Sequence, residues 1–328
     1  EIAQCLVGSE MCIRDSPYSF GRPSSGGSKA AYPCKSYGQG RINPAYFYGI
    51  FDPNDMRRDV SITMTGSNGK GVEKLIPFVP NSKAEGGGLT LNKWDENRQA
   101  NPWVAAQRKS GINGPYMRMS EVYLGYAEVC AALGDVVTGK QYLKTVRERS
   151  FPQGLADTDG FIATFGNDLV RAIIEERGFE YAGEGDRRWS LIRSGYLPED
   201  IKRIKDMTKA MMDGLATKGY YEFENGNIIS AYIWTKLVDA KTIYGHRLTA
   251  QCPMDKVNDP VLYPGWRGQK DNWEEMGLNY GNSAPATNLA IKGLFEIVSE
   301  EEAASLESQG YAKVNWGIDL VDYRDEYD

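Results

Sequence analysis

Two helical periodicities with almost no chain between them constrain this fold more than any other feature of the sequence. The stretch "SEVYLGYAEVCAALGD" sets apolar Val122, Tyr126, Cys130 and Leu133 on one face of a 3.6-residue repeat. Ser120 is the expected N-cap, and Gly134 stands where a helix ends in a left-handed residue. "TGKQYLKTVRER" follows after a short turn, with Thr138 as its expected N-cap and Tyr142 and Val146 one turn apart. Two amphipathic helices joined this closely pack as an αα-hairpin.

The pattern continues. A third helix is expected near Asp168 to Tyr181, carrying Leu169, Ala172, Ile173 and Phe179. A fourth begins at "PEDIKRIKDMTKAMMDGLA", with Pro198 in its first turn and a stripe of Ile201, Ile204, Met207, Met211 and Leu215. The helical core therefore spans about 117–216. The flanks, 17–116 and 217–328, are rich in Gly, Pro, Asn and aromatic residues. Short extended runs, "VSITMT" and "KLIPFV", flank a turn at Asn68-Gly69, and "YYEFENGNIISAYIW" reads as a second hairpin around Asn225-Gly226. A short acidic helix starts near Ser299. The expected class is mainly α, with tetratricopeptide-type helix pairs, long irregular loops and small β-hairpins.

Several chemistries are excluded early. The net charge of −6 argues against a nucleic-acid partner held by a basic field. No run of about 18 apolar residues exists to make a membrane-spanning helix. "GSNGKG" lacks the spacing of a phosphate-binding loop. The single histidine, His246, rules out multi-histidine metal sites and argues against a histidine-dependent triad. Of five cysteines, Cys130 falls on a helix face as a core residue, and no CxxC pair is present. No metal and no cofactor is expected.

The densest charge lies in "IIEERGFEYAGEGDRRWSLIRSG". Glu176 and Glu180 are four apart, hence on one helical face. As a pair they have the residue types of a glycosidase acid and nucleophile. The structural reading pairs Glu176, Glu180 and Glu184 with Arg177, Arg187 and Arg193 across a helix junction, locking two helices in register. "FDPNDMRRDVS" clusters Asp52, Asn54, Asp55 and Asp59, but it lacks the glycine and closing glutamate of a calcium loop. A turn followed by a capped helical segment is expected there.

These segments, in this order, resemble the C-terminal half of the SusD/RagB family, surface lipoproteins of the Bacteroidota outer membrane. The family's arginine-led "R-x-x-E-V-x-L-x-Y-A-E-A" helix is matched by Arg118, Glu121, Tyr126, Ala127 and Glu128. Its "VR-x-R" helix is matched by Arg147 and Arg149. Its "ER-x-x-E-x-x-x-EG-x-R" run is matched by Glu176, Arg177, Glu180, Glu184, Gly185 and Arg187, followed by Leu191, Arg193 and Gly195. "FDPNDMRRD" resembles the family's "DpR" turn, "LNKW" its Lys-Trp strand, and "LFEIVSEEEAASLESQGY" its closing motif. The resemblance covers most of Phe51 to Tyr311. Ser190 stands where the family usually has Asp, Ser194 where it often has Trp, and Glu296 and Val298 replace two prolines.

The opening "EIAQCLVGSEMCIRDS" fits neither a signal peptide nor an amphipathic helix. "LVGSEMCIRD" back-translates, codon for codon, as the read-two tagmentation adapter of shotgun sequencing libraries. Residues 1–16 are therefore expected to be a library artefact that packs against nothing, fused to a truncated metagenomic reading frame at 17–328. On this reading Cys5 is not a lipid anchor.

The resemblance implies a non-enzymatic, nutrient-binding lipoprotein at the outer-membrane surface. It would hold an oligosaccharide or peptide ligand over a SusC-like TonB-dependent transporter. Tyr18, Phe20, Tyr32, Tyr37 and Trp266 lie in Gly/Pro-rich segments outside the periodic helices, and they are the expected ligand-stacking aromatics. Two rivals remain at this point: a glycoside hydrolase using Glu176 or Glu180, and a helical scaffold that binds no small ligand.

Overall fold

A computed structural model describes residues 20–21, 23, 38, 40–67, 73–75, 89–94, 115, 117–151, 154–238 and 288–316. Strand β1 (Arg41–Ile42) runs into α1 (Pro44–Gly49), capped by Asn43, whose side chain accepts from the Ala45 amide at 2.8 Å. The acidic turn then leads into α2 (Met56–Ser61), capped by Asp55. The capped segment expected there is present. It absorbs Val60 and Ser61, so the extended run begins only at β2 (Ile62–Thr63). Strand β3 (Thr65–Ser67) pairs antiparallel with β4 (Glu73–Leu75), a hairpin whose turn residues 68–72 lie outside the described set. Strand β5 (Leu89–Leu91) sits between β1 and β2.

The helical core is α3 (Met119–Ala132), α4 (Val136–Glu148), α5 (Thr158–Ala163), α6 (Leu169–Glu180), α7 (Asp186–Ser194) and α8 (Leu197–Lys218). Beyond it, β6 (Tyr220–Glu222) and β7 (Ile228–Ser230) form the hairpin expected around Gly226. A second three-stranded sheet, also antiparallel, has β8 (Tyr232–Val238) between β9 (Asn288–Lys292) and β10 (Ala312–Asn315). The acidic helix α9 (Glu300–Ser308) starts after Ser299, whose hydroxyl accepts from the Glu302 amide.

Helix α6 is the wall between two apolar cores. Leu169, Ala172 and Ile173 pack with Leu124, Leu143 and Val146 of the α3–α4 hairpin. At its other end Phe179 packs with Tyr48, Phe51, Met211 and Phe223.

The α3–α4 hairpin corrects the sequence reading in two respects. The buried face of α3 is Ser120, Leu124, Ala127 and Cys130, while Val122, Tyr126 and Leu133 are exposed. Both faces of α3 are apolar, so periodicity alone could not choose between them. Close approach decides. A Cβ on Gly139 of α4 would lie 3.0 Å from the Ala127 carbonyl oxygen, so the contact takes the face with small residues. The caps also differ. Asp135, not Thr138, caps α4 by accepting from the Thr138 amide at 3.1 Å. Arg118 occupies the N-cap position of α3, and the Ser120 hydroxyl instead meets Arg118 Nη1 and the Tyr181 hydroxyl. In α8, Met211 and Leu215 are buried as expected, but Ile201 is exposed.

This orientation is testable. Leu124→Ala is expected to cost about 2–5 kcal/mol, and Val122→Ser is expected to stay within about 0.5 kcal/mol of the parent. Urea unfolding of the two variants measures the contrast, and the reverse order would mean that α3 is rotated.

Candidate functional site

Helix α6 buries five charged side chains: Arg171, Glu175, Glu176, Arg177 and Glu180. Charges buried on this scale require partners. Glu176, fully buried, accepts from Arg57 Nη1 at 2.6 Å and from Arg147 Nη1 at 3.0 Å. Glu180, one turn on, accepts from Arg57 Nη1 at 3.1 Å and also pairs with Arg118 and Arg149. Glu184 takes the guanidinium fork of Arg118 through Nε and Nη2, both at 2.9 Å, and Lys93 Nζ at 2.5 Å. Lys93 Nζ also donates to the Glu180 carbonyl at 2.7 Å. Arg57 is held to Asp55 as well. One cluster thus ties α2, α3, the end of α4, and the segment after β5 to a single helix.

The three arginines expected to complete this cluster go elsewhere. Arg187 donates to Glu175 at 2.9 Å and to Asp200 at 2.8 Å, linking α6, α7 and α8. Arg203 meets the same two carboxylates. Gly178 makes room for Arg187, because a Cβ there would lie 2.6 Å from its Nη1. Arg177 pairs with Asp186 and donates to the Ser190 hydroxyl at 3.0 Å. Ser190 in turn donates to Asp186 at 2.8 Å, so the carboxylate missing at position 190 is supplied one turn earlier on the same face of α7. Arg193 is an exposed partner of Glu128. Geometry explains the redistribution. Glu175 and Glu176 are adjacent, hence about 100° apart around α6, and each side of the helix collects its own cations.

Burial by itself would raise the Glu180 carboxyl, but Arg57, Arg149 and Arg118 outweigh it and hold the group well below the usual carboxylate range. Glu175 is lowered in the same way, with Arg187 and Arg203 opposing burial. Burial also pushes the Tyr181 hydroxyl up to about 12. For carboxyls depressed in the folded state, the stabilisation is complete above the unfolded value, about 4.3 for glutamate. It is lost as pH falls toward the folded value. Thermal unfolding is therefore expected to be nearly flat between about pH 7 and 5 and to drop steeply below about pH 4. A midpoint unchanged down to pH 3 would contradict this.

Of the five aromatics expected to face a ligand, Tyr18, Tyr32, Tyr37 and Trp266 lie outside the described residues, as do residues 1–16 and His246. Phe20 is described. It is half-buried, with its ring beside the Gly40 backbone just before β1. Among the described residues no group of three His, Cys, Asp or Glu side chains is arranged to hold a metal ion. On its Arg171–Glu175 side α6 borders an open cleft of about 1240 Å³.

Sequence reasoning missed Arg57, Lys93, Arg118, Arg147 and Arg149 as partners of the glutamates. The available signal was the i, i+4 spacing of Glu176 and Glu180 in a helix whose own arginines sit on other faces, which demands cations from other elements.

The comparisons with known proteins agree with this architecture. The SusD-like protein P25 of Formosa agariphila is 29% identical over 166 residues, covering 48% of this chain. The matched part amounts to 26% of that protein, so the chain spans about a quarter of the length of the relative. No solved structure matches the chain. The SusD family model matches residues 17–264, a stretch that contains α1 to α8 and every carboxylate of the α6 cluster. By that match over most of its length, the chain belongs to the SusD family.

Proposed function

We propose that the protein is a nutrient-binding lipoprotein that captures a glycan or peptide at the outer-membrane surface without altering it. It passes the ligand to a SusC-like TonB-dependent transporter. The family match over residues 17–264 carries this reading. The state of the glutamates supports it against a glycoside hydrolase. Glu176 is fully buried and held by two arginines, and Glu180 is held by three. A glycosidase acid needs a proton to give and a carboxyl within reach of the sugar oxygen. Glu180 is held ionised by its arginines, and Glu176 is sealed from solvent.

The test is calorimetric titration with a panel of oligosaccharides and peptides. Saturable binding of at least one of them is expected. No heat from any member of the panel would favour a scaffold that binds no small ligand.

A further inference from the structure

The cleft beside α6 has the surfaces of a binding site. Phe161, Phe165, Tyr196 and Tyr221 line it and are each half-buried, so their rings keep open area. Seven carboxylates and four basic side chains also line it, which disfavours a polyanion. Most of these charges are already engaged. Arg203 is on Glu175 and Asp200, Arg147 is on Glu176, and Lys202 is on Asp206. Asp157 and Asp168 cap α5 and α6 through the Gly160 and Arg171 amides. A highly charged ligand of either sign would have to displace these pairs.

Arg171 differs from the other cations. Its side chain is only 7% exposed, and its Nη2 lies 3.8–4.0 Å from Glu175, Glu199 and Asp200. Its charge is therefore balanced at ion-pair range without a hydrogen bond. Its Nη1 has no hydrogen-bond partner among the described residues. A buried donor left open is costly, and a neutral oxygen satisfies it without adding charge. The Tyr196 ring covers the guanidinium at 4.3 Å and is held by one 3.2 Å hydrogen bond to Asp168. Nη1 is itself shielded from solvent, so a ligand oxygen reaches it only if that ring moves.

We infer that this cleft binds an uncharged oligosaccharide. Sugar faces stack on Tyr196 and Phe165, and a hydroxyl or ring oxygen accepts from Arg171. The inference rests on the glycan-binding reading above and narrows it to neutral sugars and to this place on the molecule.

Hydrogen exchange tests it on the whole chain. The probes are neutral xylo-, malto-, manno- and β-gluco-oligosaccharides, with an oligogalacturonate and a lysine-rich peptide as charged probes. A bound neutral sugar is expected to protect residues 161–168 and 196–203. Tyr196→Ala is expected to weaken it about fivefold, and Tyr196→Phe to retain most of the affinity. Protection elsewhere on the chain, or unchanged affinity in folded Tyr196→Ala, overturns the cleft and leaves glycan binding standing. Tighter binding of a charged probe than of any neutral sugar overturns the ligand class. No binding of any sugar overturns both the cleft and the glycan-binding reading.

Discussion

Glu180→Ala is expected to destabilise the protein by about 3–5 kcal/mol, as removal of one partner from a buried ion pair does elsewhere. Glu180 is 3% exposed and meets Arg57, Arg118 and Arg149. Without it those guanidiniums lose their shared counter-charge, and Arg57, the most buried of them, loses one of its carboxylates. Arg57 keeps Asp55 and Glu176, and Arg118 keeps Glu184, so the cluster loosens rather than dissolves. Glu180→Gln retains the shape and the acceptor oxygen but not the charge, and is expected to cost less than alanine. Urea unfolding with an unchanged slope measures both. A loss below about 1 kcal/mol for the alanine variant would mean that the cluster does not hold the helices together.

The second large effect is expected at Phe51. Its ring is fully buried, 4.9 Å from Phe179 of α6 and 5.6 Å from Tyr46 of α1. Its backbone is fixed independently. Asn225 and Asn227, in the β6–β7 turn, both donate to the Phe51 carbonyl, at 2.8 and 3.2 Å, and both also reach the Tyr48 carbonyl. With the backbone held by these hydrogen bonds, the cavity left by Phe51→Ala has little freedom to collapse, and a loss of about 3–5 kcal/mol is expected. Phe51→Leu fills most of the space and is expected to lose substantially less. Thermal and urea unfolding of the pair tests this, and equal losses would indicate that the ring's volume is not what matters.

The parts of this fold legible in sequence were those fixed by local rules. Helix starts near Asp168 and Ser299, Pro198 in a first turn, and Gly226 in a hairpin turn each follow from chemistry within a few residues, although the caps expected at Ser120 and Thr138 do not. What failed required knowing which neighbour arrives. Helix α3 is apolar on both faces, and Gly139 of the next helix chose the side that packs. The charge cluster shows the same limit. Its glutamates could be read from α6, but Arg57, more than a hundred residues earlier in the chain, pairs with Glu176 where the nearby Arg177 does not. The cleft was not legible, because residues as distant as Ile50, Arg171 and Tyr221 line it together.

The central claim is that this protein holds a ligand and leaves it unchanged. The direct measurement is recovery of the oligosaccharide by mass spectrometry after prolonged incubation with the protein under conditions where calorimetry detects binding. The account predicts an intact oligosaccharide, and the same result with Glu176→Gln. Shortened chains accumulating with time, and abolished in folded Glu176→Gln, would contradict it and identify a glycoside hydrolase instead.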